Sequence, residues 1–346
     1  MRRFDYCFLL DSSHPSNLIG RAMGIATLKE RTSYRKERNP LVFRKLEDSA
    51  KILSVKNSNA IEGIVTSDRR LESLMRRDVE PIGHDEMEIT GYRDALTMIH
   101  ENHAQMEVDE TTILELHRII MSYTGNEGGS YKRRDNSIIG VDENGNRYVH
   151  FEPTSAEETP KAMEQMILAY RDAEQNGVNP LLLIPCFILD FLSIHPFMDG
   201  NGRMSRLLTL LMYYKAGYDV GKYISLEERI NSTKTQYYDA LTTSSVNWHN
   251  GTNDYNPFIS YYLNTLFMCY RGLDRCFVTE GDKKETKNNR VEAVVSNSLI
   301  PISKREIMSI LPDVSQTTVE ACLHRMIVDG RIERIGGNRN ARYRRV

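Results

Sequence analysis

The sequence predicts a mainly α-helical protein, and three observations carry that expectation. Apolar residues recur at spacings of three and four through long stretches such as 87–103, 111–123 and 156–174, the period of a helix with one buried face. Residues 181–194 (LLLIPCFILDFLSI) are apolar almost all round, which suits a central helix enclosed by others. One interval, 137–151 (SIIGVDENGNRYVHF), breaks the helical rhythm: short β-prone runs flank residues 142–146, which is a hairpin signal.

The chain has 346 residues, long enough for two or three domains. Its 45 Lys/Arg balance 47 Asp/Glu, so a general polyanion binder is excluded and any nucleic-acid role must be local. The opening MRRFDYCFLLDSS has two arginines and a short apolar run interrupted by Asp5. The longest apolar run, 181–194, falls short of the roughly 18 residues of a membrane span and contains Asp190. A cytoplasmic protein without a membrane partner is expected. Five cysteines (Cys7, Cys186, Cys269, Cys276, Cys322) show no CxxC or zinc spacing and read as reduced packing residues.

In chain order, residues 1–85 form an N-terminal helical region. Its segment 52–63 places Ile52, Val55, Ala60 and Ile61 on a helix that Gly63 stops. Residues 86–280 hold the hairpin, the buried helix and an amphipathic helix from about Arg203 to Ala216. Residues 281–290 (GDKKETKNNR) read as a linker. From Lys283 onward thirteen Lys/Arg face seven Asp/Glu, a net of +6 against −8 for the preceding residues. In the last unit, 291–346, Ser303-Lys-Arg-Glu306 is a capping box and Pro312 follows the helix it opens. A second helix at 315–329 ends at Gly330, and runs 331–335 and 341–346 flank GGNRN as a basic wing. Helix, turn, helix, wing resembles a winged helix-turn-helix. The outward residues of the second helix (Gln316, Thr317, Glu320, His324, Arg325) leave two roles open, DNA binding and a docking or dimer module.

Residues 195–206 (HPFMDGNGRMSR) carry the most specific chemistry. Gly200 and Gly202 allow a tight turn and close approach of backbone to a ligand, and the next helix starts there with unpaired N–H groups and its positive dipole end. Such a place binds anions. Arg203 and Arg206 lie three apart in the first turn and can grip phosphate oxygens with planar forks of donors. Asp199 puts one hard carboxylate beside those phosphates, as Mg²⁺ sites do when substrate oxygens and water complete the shell. His195 supplies an imidazole able to take a proton from an attacking hydroxyl. A plain helix-to-helix turn would account for a lone His or a lone GNG, but not for eight specified positions in register.

HPFMDGNGRMSR resembles the signature of the Fic family of protein adenylyltransferases. The resemblance implies a helical Fic fold with a β-hairpin flap, and transfer of AMP from ATP to a Tyr, Ser or Thr hydroxyl of a target protein or of the chain itself, releasing pyrophosphate. By that resemblance His195 deprotonates the hydroxyl and Asp199 binds Mg²⁺. Gly200, Asn201 and Gly202 cradle phosphates, Arg203 holds the α/β region and Arg206 the γ-phosphate. Gly202 stands where a related kinase branch has lysine, and no GxxxxGK[ST] loop occurs elsewhere. The hairpin becomes a flap whose Ile138, Ile139 and Gly140 hold a target segment as an added strand; an exposed hairpin without a partner is the alternative. Tyr237 and Tyr238 resemble the stretch lining the adenine pocket, where a ring can stack on the base, although such pairs also serve as core. Transfer of a different nucleotide, and a DNA-binding regulator with a nucleotide-sensing Fic core, are the competing readings. Relatives suggest a homodimer.

Ser58-Asn-Ala-Ile-Glu62-Gly63 is similar to the family's inhibitory pattern of Ser or Thr, Glu four residues on, then Gly. The resemblance implies the N-terminal, class II arrangement, in which Glu62 pairs with Arg206 and removes the donor for the γ-phosphate. It also implies a second service for Glu62, positioning water to remove AMP.

Overall fold

The computed structural model of the chain describes residues 2–141, 145–277, 287–296, 298, 301–311, 314–337 and 341–345. The N-terminal region comprises α1 (Phe8–Asp11), α2 (Ser16–Arg38), α3 (Pro40–Ile61) and α4 (Asp68–Met75). Pro40 opens α3 at a position where its missing N–H costs nothing. The body follows with α5 (Gly83–Asn102), α6 (Glu110–Met121), the hairpin β1 (Ile138–Val141) and β2 (Arg147–Phe151), α7 (Thr159–Gln175) and α8 (Pro180–Ile194). It continues through α9 (Asn201–Lys215), α10 (Leu226–Ser232), α11 (Lys234–Ser245) and α12 (Asn256–Arg275). The C-terminal unit is α13 (Lys287–Ser296), β3 (Ile302–Ser303), α14 (Lys304–Ile310), α15 (Gln316–Val328), β4 (Ile332–Ile335) and β5 (Arg342–Arg345).

The enclosed helix expected at 181–194 is α8, which packs against α7, α9, α11 and α12 and stays helical through Pro185 in its second turn. The following helix differs from expectation in two ways. It begins at Asn201, before Arg203, and is buried on nearly every side rather than amphipathic. Its polar residues survive enclosure because they bond within the helix: Ser205 Oγ donates to Gly202 O and Thr209 Oγ1 to Ser205 O, both at 2.7 Å.

A buried carboxylate ties distant segments to α8. Asp190 accepts from Tyr6 Oη at 2.7 Å, Trp248 Nε1 at 2.7 Å and Tyr255 Oη at 2.9 Å, with the Arg2 guanidinium 3.8 Å away. Burial pushes its pKa up, against the pull of Arg2 and the three donors.

The C-terminal unit has its own core, built from residues such as Val291, Ile307, Val319, Leu323, Met326 and Tyr343. Its strands form an antiparallel sheet in the order β3-β5-β4. The capping box forms: Ser303 Oγ accepts from Glu306 N at 3.3 Å, and Glu306 Oε2 accepts from Ser303 N at 2.7 Å. The expected linker 281–290 is shorter than the composition suggested, because α13 starts at Lys287 and sends Val291 and Val295 into this core. Residues 281–286, Pro312, hairpin residues 142–144 and wing residues 338–340 lie outside the described residues. Among the described residues no helix is long and apolar enough to cross a membrane.

Candidate active site

The site is built on the turn between α8 and α9. His195 caps α8 with a left-handed backbone (φ 52°), a conformation that costs a non-glycine residue energy and needs support. Its backbone N–H donates to Phe191 O at 3.0 Å, and its Nδ1 faces Leu192 O at 3.3 Å. With the Nδ1 proton donated there, Nε2 keeps its lone pair. Burial lowers the imidazole pKa to about 4, so the ring is neutral at physiological pH.

Further along the turn Gly200 is left-handed (φ 81°), whereas Gly202 has ordinary helical geometry inside α9. Only the first of the two glycines therefore serves the turn. Asn201 shapes the loop with its side chain: Oδ1 accepts from Phe197 N at 3.0 Å and Nδ2 donates to Phe197 O at 2.8 Å. Its contribution to a ligand is thereby reduced to its backbone.

Three residues that the sequence did not single out brace this turn. His117 on α6 accepts from Gly129 N through Nδ1 at 3.0 Å, which assigns the proton to Nε2 for donation to Asp199 O at 3.2 Å. Its ring stacks on Phe197 with centroids 3.7 Å apart, and burial lowers its pKa to about 4. Lys132 donates from Nζ to Ile194 O at 3.1 Å and from its backbone to Pro196 O at 2.9 Å. Burial pulls its ammonium down to about 8. Asn136 Nδ2 donates to Phe197 O at 2.9 Å.

The two arginines do not stand together in the open. Arg203 and Arg206 are each 2 % exposed and engage different acids. Arg203 pairs with buried Glu88 on α5 at 3.3 Å and with Asp199 at 3.6 Å, yet its Nε and Nη1 make no hydrogen bond. Glu88 was the fourth residue missed. A carboxylate on the face of α5 that also buries Tyr92, Ala95 and Ile99 was its available signal, since such a group needs a charged partner. Arg206 is engaged by α3: Nε donates to Ser58 Oγ at 2.8 Å, and Nη2 to Ser58 O at 2.9 Å and Glu62 Oε1 at 2.8 Å.

Glu62 is aimed by the way α3 ends. Gly63 is left-handed (φ 84°), its N–H bonds Ala60 O at 3.1 Å, and Ile64 N bonds Asn59 O at 3.0 Å, a Schellman ending. Lys234 Nζ holds Ile61 O at 2.6 Å. A Cβ on Gly202 would lie 2.3 Å from Glu62 Oε1, so the absent side chain makes room for this carboxylate.

Two cavities, each about 360 Å³, meet at Glu62, His195 and Gly202. The more apolar one is lined by Ile138 and Phe151 of the hairpin, Leu192, Tyr237, Tyr238 and Leu241. Tyr238 is 40 % exposed and presents its ring. Tyr237 is buried edge-on among Tyr238, Phe258 and Tyr261, so it forms a wall rather than a stacking platform. The polar cavity holds Asp199, Gly200, Asn201, Gly202 and Arg203. In the hairpin Ile138 pairs with Phe151 and Ile139 with Val149 across a bulge. Ile139 is half exposed, and the Tyr148 ring covers Gly140.

No cluster of three or more His, Cys, Asp or Glu side chains able to hold a metal occurs among the described residues. Asp199, 55 % exposed at its side chain, presents a carboxylate to the polar cavity, which suits Mg²⁺ completed by phosphate oxygens and water. Arg203 lines the same cavity, with its guanidinium held between Glu88 and Asp199.

Residues 107–213 match the Fic/DOC family. Protein adenylyltransferase Fic of Drosophila grimshawi is 26 % identical over 225 residues, covering 63 % of this chain and 42 % of its own length. The chain thus spans less than half the length of the curated relatives it matches. Among solved structures, a Fic family protein from Desulfovibrio desulfuricans G20 superposes with a TM-score of 0.62 and 21 % identity over 97 % of both chains. A Fic domain containing signaling protein from Bacteroides thetaiotaomicron VPI-5482 gives 0.61 at 24 % identity, over 76 % of this chain and all of that one. These likenesses show that the architecture is that of Fic proteins.

Proposed function

We propose that the chain is an ATP-dependent protein adenylyltransferase held in check by Glu62. The observation that carries the reading is the meeting of the two cavities at His195: an aromatic-walled space on one side, a helix N-terminus with Arg203 on the other, and a neutral imidazole between them. Named relatives that are protein adenylyltransferases support it.

His195 takes the proton of a target Tyr, Ser or Thr hydroxyl on Nε2 as the oxygen attacks the α-phosphorus of ATP. The P–O bond to the β-phosphate breaks, AMP stays on the target oxygen and pyrophosphate leaves. Arg203 and the first amides of α9 hold the phosphates in line. Mg²⁺ at Asp199 would neutralise charge on the phosphates. The base lies against Tyr238 and Leu241, and the target segment adds to the hairpin edge beside Ile138, Ile139 and Gly140.

Glu62 acts against this chemistry by occupying Arg206. With Nε and Nη2 spent on Ser58 and Glu62, that guanidinium is turned toward α3 and cannot close its fork on a γ-phosphate, so ATP binds in an unproductive pose. The arrangement corresponds to N-terminal, class II inhibition.

The order α13, β3, α14, α15, β4, β5 supports reading the C-terminal unit as a winged helix. Four of its cations are paired locally: Lys304 with Glu320 at 2.8 Å, Arg331 with Glu292 at 3.0 Å, Arg342 with Glu306 at 3.4 Å, and Arg344 with Glu333. The unit keeps its net positive charge, and both DNA binding and docking remain readings of it. The test of the enzymatic reading uses the Glu62→Gly protein with ATP labelled at the α or the γ position. Protein-bound label from the α position alone supports AMP transfer; label from the γ position refutes it in favour of phosphate transfer.

A further inference from the structure

We propose that His84 is an additional phosphate anchor: it contacts the terminal phosphate of the nucleotide from the wall of the polar cavity. The proposal rests on the reading of that cavity as the site of the ATP phosphates.

Charge on the cavity wall motivates it. Glu62, Glu88 and Asp199 line the space against a single lining guanidinium, Arg203. A polyanion entering there needs more positive charge than Arg203 and one divalent ion supply. His195 cannot provide it, since burial keeps that ring neutral. His84 is the remaining base on the wall, and its side chain is 61 % exposed.

His84 is also fixed in place. Left-handed Gly83 begins α5, and Ile82 N donates to Glu86 Oε2 at 2.8 Å. Arg70 grips Glu86 at 2.6 Å and helps hold its carboxyl down to about 2. Val65 N, just beyond the Glu62 segment, donates to Asp85 Oδ2 at 3.3 Å. The imidazole thus projects from a braced helix start.

His84 Nε2 lies 3.2 Å from Glu88 Oε1, the same carboxylate that pairs with Arg203. With Nε2 turned to Glu88, Nδ1 is the ring nitrogen left to meet a phosphate. The facing groups are Asp85 and Glu88 on its own helix, Glu62 from the end of α3, and His195, Asp199 and Arg203 from the turn and α9. The contact reaches a terminal phosphate and so distinguishes a triphosphate from AMP.

Calorimetry of ATP–Mg²⁺ and of AMP on the full chain carrying Glu62→Gly and His195→Ala tests this without turnover. Adding His84→Ala is expected to weaken ATP by about tenfold, the value of one charged hydrogen bond, and to leave AMP unchanged. His84→Arg restores ATP affinity. Equal affinity for ATP with and without His84, or equal losses for ATP and AMP, overturns the anchor. In parallel, AMP transfer by the Glu62→Gly protein is measured. Absence of transfer together with selective loss of ATP affinity rejects the transferase reading and leaves the anchor standing. Transfer together with unchanged ATP affinity does the reverse.

Discussion

Glu62 and Arg206, 144 residues apart in sequence, are joined by a 2.8 Å bond across the end of α3, over a glycine that leaves room for the carboxylate. The bond stabilises the resting protein while it withholds a phosphate ligand. Glu62→Gly is expected to lower unliganded stability by about 2 kcal/mol, because a buried guanidinium loses its counter-ion. The same substitution should enlarge the stabilisation that ATP confers. Thermal unfolding with and without nucleotide checks both; a variant as stable as wild type and no more responsive to ATP would count against the pairing as a brake.

His195 and His117 both titrate near 4 in the folded chain, against about 6.5 when unfolded. The unfolded chain therefore binds more protons as pH falls through that interval. Their neutral forms stabilise the fold fully above about pH 6.5, and this contribution is lost toward about pH 4, by up to about 3 kcal/mol per ring. Denaturant midpoints measured from pH 7 downward should show the loss, and His117→Gln should remove about half of it. By the same argument kcat for transfer stays level from about pH 8 to about pH 6, where an ordinary histidine base would already be losing activity.

Through Asp199 O, His117 also sets the posture of the carboxylate assigned to Mg²⁺. His117→Gln is expected to raise the Mg²⁺ concentration needed for half-maximal transfer about tenfold, in line with the loss of a metal-orienting hydrogen bond. Titrating Mg²⁺ at saturating ATP measures it. An unchanged requirement with a lowered melting temperature would assign His117 to stability alone.

Gly140 lies beneath the Tyr148 ring, which a Cβ would meet at 2.6 Å. Tyr148 is half exposed and can swing away, so Gly140→Ala should change stability by less than about 0.5 kcal/mol. It should nevertheless reduce modification of a separate target, because the hairpin edge is disturbed, while ATP affinity stays unchanged. Comparing target labelling with nucleotide binding separates the two effects.

The legible parts of the site were the local ones. His195, Asp199 and the glycines lie within a short contiguous run, and the hairpin announced itself by a change of period. Glu62 was connected to Arg206 only by resemblance, since a pairing across 144 residues leaves no periodic trace. His117, Lys132 and Asn136 stayed hidden because each supports a backbone carbonyl of the turn, an interaction that many polar residues could make from many positions. The helix expected to be amphipathic, α9, is enclosed instead, because the hydroxyls of Ser205 and Thr209 are satisfied inside the helix. Lys287 was counted into the linker by charge, though Val291 and Val295 draw its helix into a core.

The four partners of Asp190 come from both sides of it in the chain, Arg2 and Tyr6 before, Trp248 and Tyr255 after. During synthesis the central helix emerges well before two of the groups that make its carboxylate tolerable in the interior. Until they arrive, α8 carries an acid that resists enclosure, and the early chain cannot close around it. The body is consequently a fold of long-range closure, completed only once about the last third of the chain has begun to appear. A chain stopped short of Tyr255 would leave α8, an almost wholly apolar helix, without two of the donors that satisfy its buried acid.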